Sequence, residues 1–353
     1  MPVKFATMGM FIIDEIHYPP PQEPVYDIMG GAGTYAVLGY RFFAQAAPRE
    51  IGWFVDVGND FPPQLLEEIK SWETGVIIRT NQARQTTRGW NFYGESGNEE
   101  RAFKYTTPKL RIETSDLTDN TDLLASKSFH LICSPERCTS ICTTLARDRL
   151  ATGVSEPFYI FWEPVPGVCS PEEFEKCKTT LQYIDVLSPN ALEAAMFLGQ
   201  PEPTSAADVE RVALSFLAHM PRPHAAVILR CGSEGCVVFS RVLFRGSSPC
   251  AADSTYHFAR FPAYHNPRNP DYCVKDPTGG GNTFIGGSAA GYIDGQDLVK
   301  AAIYGSIAAG LAIEQVGVPK LTPASNGTEE KWNGETIADR IKKYCERYGF
   351  SLN

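Results

Sequence analysis

Short apolar runs alternate with amphipathic stretches along most of this chain, in the repeating order strand, helix, strand. Residues 4–10 predict a first strand, and regular alternation begins with a strand at 129–133. Predicted helices carry apolar residues at helical spacing, as at Val209, Val212 and Phe216. Other strands are predicted at 51–55, 158–161, 184–187, 226–229 and 236–239, and helices at 34–46, 206–219, 281–293, 298–315 and 334–347. Repeated strand–helix units predict a mostly parallel sheet with helices on both faces.

Two segments, about 11–30 and 76–108, interrupt this pattern. The first is irregular and rich in proline, and the second holds short runs rich in Thr, Tyr, Phe and Trp, which favour an exposed sheet. We predict that they form a small β-rich lid on one α/β domain spanning 1–320. Residues 321–353 are predicted to form a C-terminal tail and helix packed on that domain.

Two helix starts are indicated by polar residues at capping spacing. Ser170 precedes Pro171 and Glu173, and Asn190 precedes Glu193. A side-chain oxygen at the first position and a carboxylate three residues later can bond each other's backbone N–H groups. The sequence therefore predicts a capping box at each site.

Composition narrows the range of functions. The chain has 353 residues, an apolar share of 43% and a net charge of −9, and an acidic surface repels nucleic acid and anionic membranes. No apolar run reaches membrane-spanning length, and the N-terminus lacks the form of a secretion signal. The ten cysteines are scattered without Cys-x-x-Cys pairs, which favours reduced thiols over a zinc site. We therefore expect a cytoplasmic protein.

The richest chemistry lies in the segment DPTGGGNTFIGGSAAGY, residues 276–292. Gly279, Gly280 and Gly281 precede a long run of small and apolar residues. A helix that starts there would present unpaired backbone N–H groups and the positive end of its dipole, which together bind anions. A glycine turn before a packed helix is the alternative. The flanking Asp276 and Thr278 favour a phosphate site.

This segment resembles the C-terminal signature of the ribokinase-like (PfkB) kinases of sugars and nucleosides. That signature reads Asp-Thr-x-Gly-Ala-Gly-Asp-Thr-Phe, and its second Asp is the catalytic base. Asn282 stands at the base position here. The resemblance implies a three-layer α/β/α sandwich with a small lid. The triple glycine followed by Asn resembles a fungal branch of the family, the maintenance-of-killer proteins.

Further matches follow in family order. By resemblance, Asp14 and the glycines at 30, 31 and 33 would bind the acceptor, with Tyr35 where relatives carry Asn. Glu193 would hold Mg²⁺ through water, and Asp276 with Thr278 would hold K⁺. Nucleotide would contact Asn190, Arg230, Gly232, Gly235, Ser306 and Gly310.

Each match has a structural alternative. Asp14 can be an ordinary loop carboxylate, and Asn190 with Glu193 can simply cap a helix. Arg230 can be an ion-pair partner, and the small residues Ser306 and Gly310 suit tight helix packing.

Residues 31–36 also fit the dinucleotide fingerprint G-x-G-x-x-A, with Asp56 further on. That fingerprint should follow a buried first strand, whereas the preceding PVYDIM is short and flanked by proline. The context favours a chance match.

Three functional hypotheses follow. The first is an ATP- and Mg²⁺-dependent kinase of a sugar- or nucleoside-like alcohol, with K⁺ bound nearby. An amide cannot accept the hydroxyl proton, and loss of a general base costs about 10²–10⁴ in rate, so Asn282 predicts weak or altered activity. The second is a pseudokinase that binds nucleotide and acts through protein partners. The third, a Rossmann dehydrogenase, is much less favoured. A homodimer formed through the lid is compatible with the first two.

Overall fold

The structure is a computed structural model that describes residues 2–94, 97–325 and 327–352, with side chains described outside 97–101. Strands lie at β1 Phe5–Thr7, β2 Ile12–His17, β3 Val25–Gly30, β4 Ile51–Val57, β5 Gly75–Thr80, β6 Arg88–Gly94, β7 Gly97–Tyr105, β8 Ser128–Cys133, β9 Tyr159–Pro164, β10 Val186–Leu187, β11 Ala226–Arg230, β12 Cys236–Ser240, β13 Ser248–Pro249, β14 His257–Phe261, β15 Leu321–Thr322 and β16 Lys331–Trp332. Helices lie at α1 Ala32–Arg41, α2 Pro63–Ser71, α3 Thr114–Thr118, α4 Thr121–Leu124, α5 Pro135–Ala151, α6 Pro171–Leu181, α7 Ala191–Phe197, α8 Ala206–Leu217, α9 Gly280–Tyr292, α10 Leu298–Ala312 and α11 Ile337–Tyr348.

Ten of the described strands form one large sheet in the order β13-β14-β12-β11-β10-β9-β8-β1-β4-β5. Seven of them, from β11 to β5 in that order, run parallel, and β12, β14 and β13 extend one edge antiparallel. The predicted mostly parallel sheet is confirmed. The chain passes from β1 outward to β4 and then back to β8, so the order reverses around β1. Ligands of open α/β sheets bind at the carboxyl ends of strands beside such a reversal.

Both faces of this sheet are covered, as the near-continuous apolar strands require. Successive residues on a strand point to opposite faces, and the buried residues divide accordingly. One core includes Phe5, Trp53 and Phe161 with α1, α9 and α10. The other includes Ala6, Phe54 and Trp162 with α5 and α8. The predicted three-layer α/β/α sandwich is therefore confirmed.

The lid is a separate sheet of four strands in the order β3-β2-β6-β7, in which β2 and β6 are parallel. The prediction that the first lid segment, about 11–30, is irregular was wrong, because it forms β2 and β3. The lower bound of the second lid segment was also wrong. Residues 75–80 form β5, which pairs with β4 at the edge of the large sheet, so this part of the lid begins near Arg88.

Helix α9 is held in place by unusually close helix packing. A Cβ on Gly39 of α1 would collide with the carbonyl oxygen of Thr283, and one on Gly286 would collide with that of Ala36. Only glycine permits backbones to approach this closely. The small-residue stretch of α9 thus fixes the helix, and with it the position of its N-terminal glycines.

The C-terminal segment packs on the sandwich. The hydroxyl of Tyr344 in α11 donates to the carbonyl of Pro262 at 2.6 Å, and Trp332 is fully buried. The ten cysteines are free thiols. Across the described ranges, helices fall short of the length and apolarity needed to cross a membrane.

Candidate active site

A cavity of about 460 Å³ lies at the N-terminus of α9. Its walls come from the first turn of α9, the end of β11, the turn before β12 and the face of α10. Of its lining residues, six are those predicted to bind nucleotide: Asn190, Arg230, Gly232, Gly235, Ser306 and Gly310. Gly280 and Gly281 also line it. The structure therefore brings the predicted nucleotide residues and the glycine loop into one cleft, which we call the nucleotide cavity.

The glycine loop forms the helix start that its sequence predicts. Gly279 adopts the left-handed conformation, φ 77° and ψ −14°, and no side chain caps the N-terminus of α9. The Gly280 N–H donates to the carbonyl of Pro277 at 3.2 Å. The turn is thus partly closed on itself, and the uncapped end of α9 faces the cavity with the positive pole of its dipole.

Each glycine of the loop also makes room for a particular neighbour. A Cβ on Gly279 would overlap the ring of Tyr35, and one on Gly281 would overlap the guanidinium of Arg230. A Cβ on Gly280 would lie 2.9 Å from Ile313 Cγ2. The phenol ring and the guanidinium therefore stand directly against the predicted anion hole.

Asn282, at the base position, is held by a carboxylate. Its Nδ2 donates to Glu163 Oε1 at 2.5 Å, and His130 Nε2 lies 2.8 Å from the same oxygen. His130 Nδ1 is in turn 2.8 Å from the hydroxyl of Thr7. Burial would raise the pKa of Glu163, but His130, Arg230 and Asn282 together lower the pKa below its ordinary value. Glu163 is therefore an ionised carboxylate, 2% exposed, beside Asn282.

Arg230 lies between two buried acids. Its Nη2 is 3.5 Å from Glu163 Oε2 and 3.6 Å from Glu193 Oε2. Burial raises the pKa of Glu193, and the nearby guanidinium opposes that shift. The guanidinium thus supplies positive charge at the floor of the nucleotide cavity, and both of its alternative predicted roles, phosphate ligand and ion-pair partner, have a geometric basis.

Asn190 and Glu193 form the predicted capping box. Asn190 Oδ1 accepts from the Glu193 N–H at 2.7 Å, and Glu193 Oε2 accepts from the Asn190 N–H at 2.8 Å. The carboxylate of Glu193 is therefore occupied by the cap and by Arg230, a geometry that suits a water-mediated role toward Mg²⁺ better than direct ligation. The capping box predicted at Ser170 was wrong, because its side chain caps no backbone N–H and bonds the Glu172 carboxylate instead.

Asp276 and Thr278 form a turn that the lid touches. Asp276 Oδ1 accepts from the Thr278 N–H at 2.9 Å, from the Thr278 hydroxyl at 2.6 Å and from the hydroxyl of Tyr93 at 2.9 Å. Tyr93 lies on β6, so the lid reaches the glycine-loop segment directly. Among the described side chains, no group of three or more His, Cys, Asp or Glu is placed to hold a metal by itself.

A second cavity, of about 450 Å³, lies under the lid beside the residues predicted to bind the acceptor, and we name it the acceptor cavity after that prediction. It is bounded by the carboxyl ends of β1, β8 and β9, at the reversal of strand order, and by Ile12 and Ala32. Asp14 follows Ile12 on the same face of β2, and its carboxylate fills the space that Gly30 leaves open. Asn91 Nδ2 donates to Asp14 Oδ1 at 3.1 Å.

Gly31 and Gly33, also predicted to bind the acceptor, allow two backbone segments to lie close together. A Cβ on Gly31, at φ +91°, would overlap the carbonyl of Met10, and one on Gly33 would overlap that of Gly9. These glycines let α1 start close to the loop after β1. Asp14, Gly30, Gly31 and Gly33 are therefore assembled beside the acceptor cavity, whereas Tyr35 lies at the glycine loop.

The sequence profile described as "pfkB family carbohydrate kinase" matches residues 27–324. Protein MAK32 of Saccharomyces cerevisiae is 36% identical over 357 residues, covering 98% of this chain and 93% of that protein. This chain belongs to the pfkB family of carbohydrate kinases.

Solved structures of the family share the fold. The ribokinase of Giardia lamblia superposes with a TM-score of 0.69 at 15% identity, covering 99% of this chain and all of that one. Arabidopsis thaliana ribokinase, solved with ribose and ATP, gives a TM-score of 0.61 at 17% identity, covering 90% and 95% of the two chains. The resemblance to the pfkB family and to its maintenance-of-killer branch is confirmed.

The pfkB fold removes the basis for a dinucleotide site at 31–36. Gly31 does precede a helix, but the strand before it, β3, is an edge strand of the lid and pairs antiparallel with β2. A dinucleotide fingerprint requires a strand of the parallel sheet at that point. Asp56 is occupied elsewhere, by Arg79 at 2.7 Å.

Several residues around the two cavities were not predicted from the sequence. Glu163 and His130 lie on buried strands, and the one visible signal was a glutamate near the end of the apolar run YIFWEP. Tyr264, His265 and Tyr272 line the nucleotide cavity from a turn-rich segment whose sequence carries no recognisable motif.

Proposed function

We propose that the protein transfers the γ-phosphoryl group of ATP to an alcohol of a sugar- or nucleoside-like small molecule, and does so slowly for its family. The observation that carries this is the bond between Asn282 and Glu163. Asn282 follows Gly281, which lines the nucleotide cavity, and Glu163 lies two residues before Val165, which lines the acceptor cavity. The bond thus joins the walls of two cavities of suitable size for donor and acceptor.

In the proposed reaction the acceptor oxygen attacks the γ-phosphorus, the bond to the β–γ bridging oxygen breaks, ADP leaves and the hydroxyl proton is released. The uncapped N-terminus of α9 and the guanidinium of Arg230 would stabilise charge on the transferring group. Mg²⁺, held through water by Glu193, would neutralise the phosphates of the nucleotide. The turn of Asp276 and Thr278 would hold K⁺ beside the loop.

Proton removal is the weak point of this site. The amide of Asn282 cannot accept a proton, and it donates to the carboxylate of Glu163. Glu163 is ionised at neutral pH, yet its Oε1 already receives bonds from Asn282 and His130 and its Oε2 faces Arg230. Such a carboxylate is a poor base. We therefore expect turnover about 10²–10⁴ below that of a relative with a free aspartate.

A second candidate, a nucleotide-binding pseudokinase acting through a protein partner, is favoured by a different observation. The ring of Tyr35 and the guanidinium of Arg230 press on Gly279 and Gly281, where a transferring phosphoryl group would need room. This crowding suits binding of a nucleotide more than transfer from it.

Two measurements test these proposals. The first is isothermal titration of ADP and a non-hydrolysable ATP analogue into the wild type and into Ala309→Phe, which fills the nucleotide cavity from α10. Ala207→Phe, on the exposed face of α8, is the matched control. The second is ADP release with mass detection of phosphorylated products over a panel of sugars and nucleosides.

We expect ADP binding that Ala309→Phe weakens at least tenfold and Ala207→Phe leaves unchanged. Product that forms with an acceptor supports the kinase. Nucleotide binding without product for any acceptor supports the pseudokinase. Absence of nucleotide binding in the folded wild type overturns both. Cytoplasmic location and a homodimer through the lid remain predictions, which fractionation and light scattering would check.

A further inference from the structure

The lining of the acceptor cavity is basic. Three cationic side chains reach it, Lys109, Arg111 and Arg137, and the described lining contains neither Asp nor Glu. The chain as a whole carries a net charge of −9. A local excess of positive charge on such a protein raises the local concentration of small anions.

The positive charge is only partly compensated. Arg137 donates to Glu113 Oε2 at 3.0 Å and to the carbonyl of Ile112 at 2.8 Å. Lys109 stacks on the ring of Tyr105, with its Nζ 4.5 Å from the centroid. Within the described ranges, neither Lys109 nor Arg111 forms an ion pair. The acids that line a neighbouring cavity with Arg111 pair elsewhere, Asp56 and Asp116 with Arg79 and Glu113 with Arg137. Two of the three cations therefore remain available to a ligand.

These cations converge from separate elements. Lys109 and Arg111 lie two residues apart on the extended segment that leads from β7 back to the sandwich, and Arg137 lies in the first turn of α5. The carboxyl ends of β1, β8 and β9 form the opposite wall. Like charges gathered around one cavity repel each other, and a bound anion would remove that repulsion.

We propose that the acceptor cavity binds an alcohol that already carries a phosphomonoester. A neutral sugar would leave Lys109 and Arg111 without an anionic partner, whereas a phosphate dianion can accept paired bonds from guanidinium groups and pair with an ammonium. The hydroxyl on the same molecule would remain for the Asp14 side of the cavity. This inference rests on the proposed function, because it names the acceptor class of that same site.

Binding of matched ligand pairs tests the proposal without nucleotide. The pairs are ribose with ribose 5-phosphate, glucose with glucose 6-phosphate, and cytidine with cytidine 5′-monophosphate, each titrated into the full chain at low and high KCl. Inorganic phosphate serves as the minimal probe. The variants are Arg111→Gln, Arg137→Gln and Lys109→Gln combined with Arg111→Gln. The control is Arg147→Gln, whose side chain on α5 is 71% exposed and lies outside the cavity lining.

We expect at least one phosphorylated member to bind tenfold or more tightly than its neutral partner, with the advantage shrinking at high salt. Each arginine variant should reduce this affinity advantage about tenfold, and Arg147→Gln should leave it unchanged. The sugar and nucleotide pairs separate the two sources of such a phosphate. Equal binding within every pair, or an advantage that persists in the double variant, overturns the proposal.

ADP titration separates this result from failure of the proposed function. If the cavity variants bind ADP like the wild type but lose the phosphorylated ligand, the acceptor class is established on its own. If the wild type binds the phosphorylated ligand but not ADP, the acceptor site stands and the kinase proposal falls.

Discussion

Asn282→Asp alone should not restore activity, because the carboxylate of Glu163 already lies beside position 282. In Asn282→Asp, an oxygen would replace the Nδ2 that now donates to Glu163 Oε1 at 2.5 Å. An attractive contact would become a contact between two negative charges. Family resemblance alone would suggest the opposite outcome, a simple gain of activity.

The size of the effect follows from the geometry. If the two carboxylates relax to about 4 Å, their repulsion is about 4 kcal/mol at an effective dielectric of 20. That energy equals roughly 3 pKa units, so the pair is expected to keep one proton near neutral pH. For a domain of this length, 4 kcal/mol corresponds to a melting temperature lower by roughly 5 °C.

The sign of the pH dependence differs between the two proteins. In the wild type the pKa of Glu163 is lowered, so its contribution to stability is present above about pH 4.5 and lost as pH falls. In Asn282→Asp the upper pKa of the pair is raised, so stability is highest in acid and is lost as pH rises through that pKa. The difference between the two melting temperatures should therefore grow from pH 5 to pH 8.

The decisive variant exchanges the two groups. Asn282→Asp combined with Glu163→Gln restores one carboxylate and one amide with their positions reversed, and it places the carboxylate at the base position. We expect the melting temperature to return to within about 2 °C of the wild type, and any turnover to rise by about 10²–10⁴. The reasoning is refuted if Asn282→Asp melts like the wild type from pH 5 to pH 8, or if the double variant is no more stable than the single one.

Three further outcomes are expected. Hydrogen bonds from His265 and Arg340 outweigh burial and lower the pKa of Glu314 to about 2, so Glu314→Gln should cost about 3–5 kcal/mol at pH 7 and far less at pH 2 in urea titrations. Gly279→Ala should be destabilised by the positive φ of this position and by overlap of its Cβ with the Tyr35 ring. Adding Tyr35→Ala should remove only the overlap, so a full rescue of the melting temperature would show that backbone strain is negligible. Arg230 already supplies positive charge at the floor of the nucleotide cavity. In calorimetry, EDTA should therefore weaken ADP binding less than Arg230→Gln does. A larger effect of EDTA would contradict this role of Arg230.

Much of the large sheet could be predicted from sequence because buried parallel strands are apolar and separated by amphipathic helices. The lid was predicted as a β-rich element, but its strands β2 and β3 were not. Their residues also suit a proline-rich loop, and Ile13 of β2 pairs with Arg88 of β6, far along the chain. The strand predicted at 158–161 extends to Pro164 in the structure. Glu163 was missed for that reason, because a glutamate just beyond a predicted strand suggests a surface turn.

The residues of the candidate site also fall into two groups, those that short sequence motifs reveal and those that they do not. Residues that act through local backbone geometry, such as Gly279 and Asn190, are visible in short motifs. Residues that act through contacts across the fold are not. Nothing in the sequence relates Lys109 to Arg137, or Asn282 to Glu163, because each pair meets only when distant segments reach the same edge of the sheet.

The two cavities take their described walls from different stretches of the chain, the acceptor cavity from 8–168 and the nucleotide cavity from 190–313. Tyr35 and Glu163 are exceptions, because they lie in the first stretch but contact the glycine loop and Arg230. Under the proposed function, other substitutions in the first stretch would change the acceptor without changing the nucleotide cavity. Under the proposed function, evolution could thus change acceptor preference in such a lineage largely independently of the donor. In a chimera of two family members joined near residue 180, each parent would contribute the described walls of one cavity.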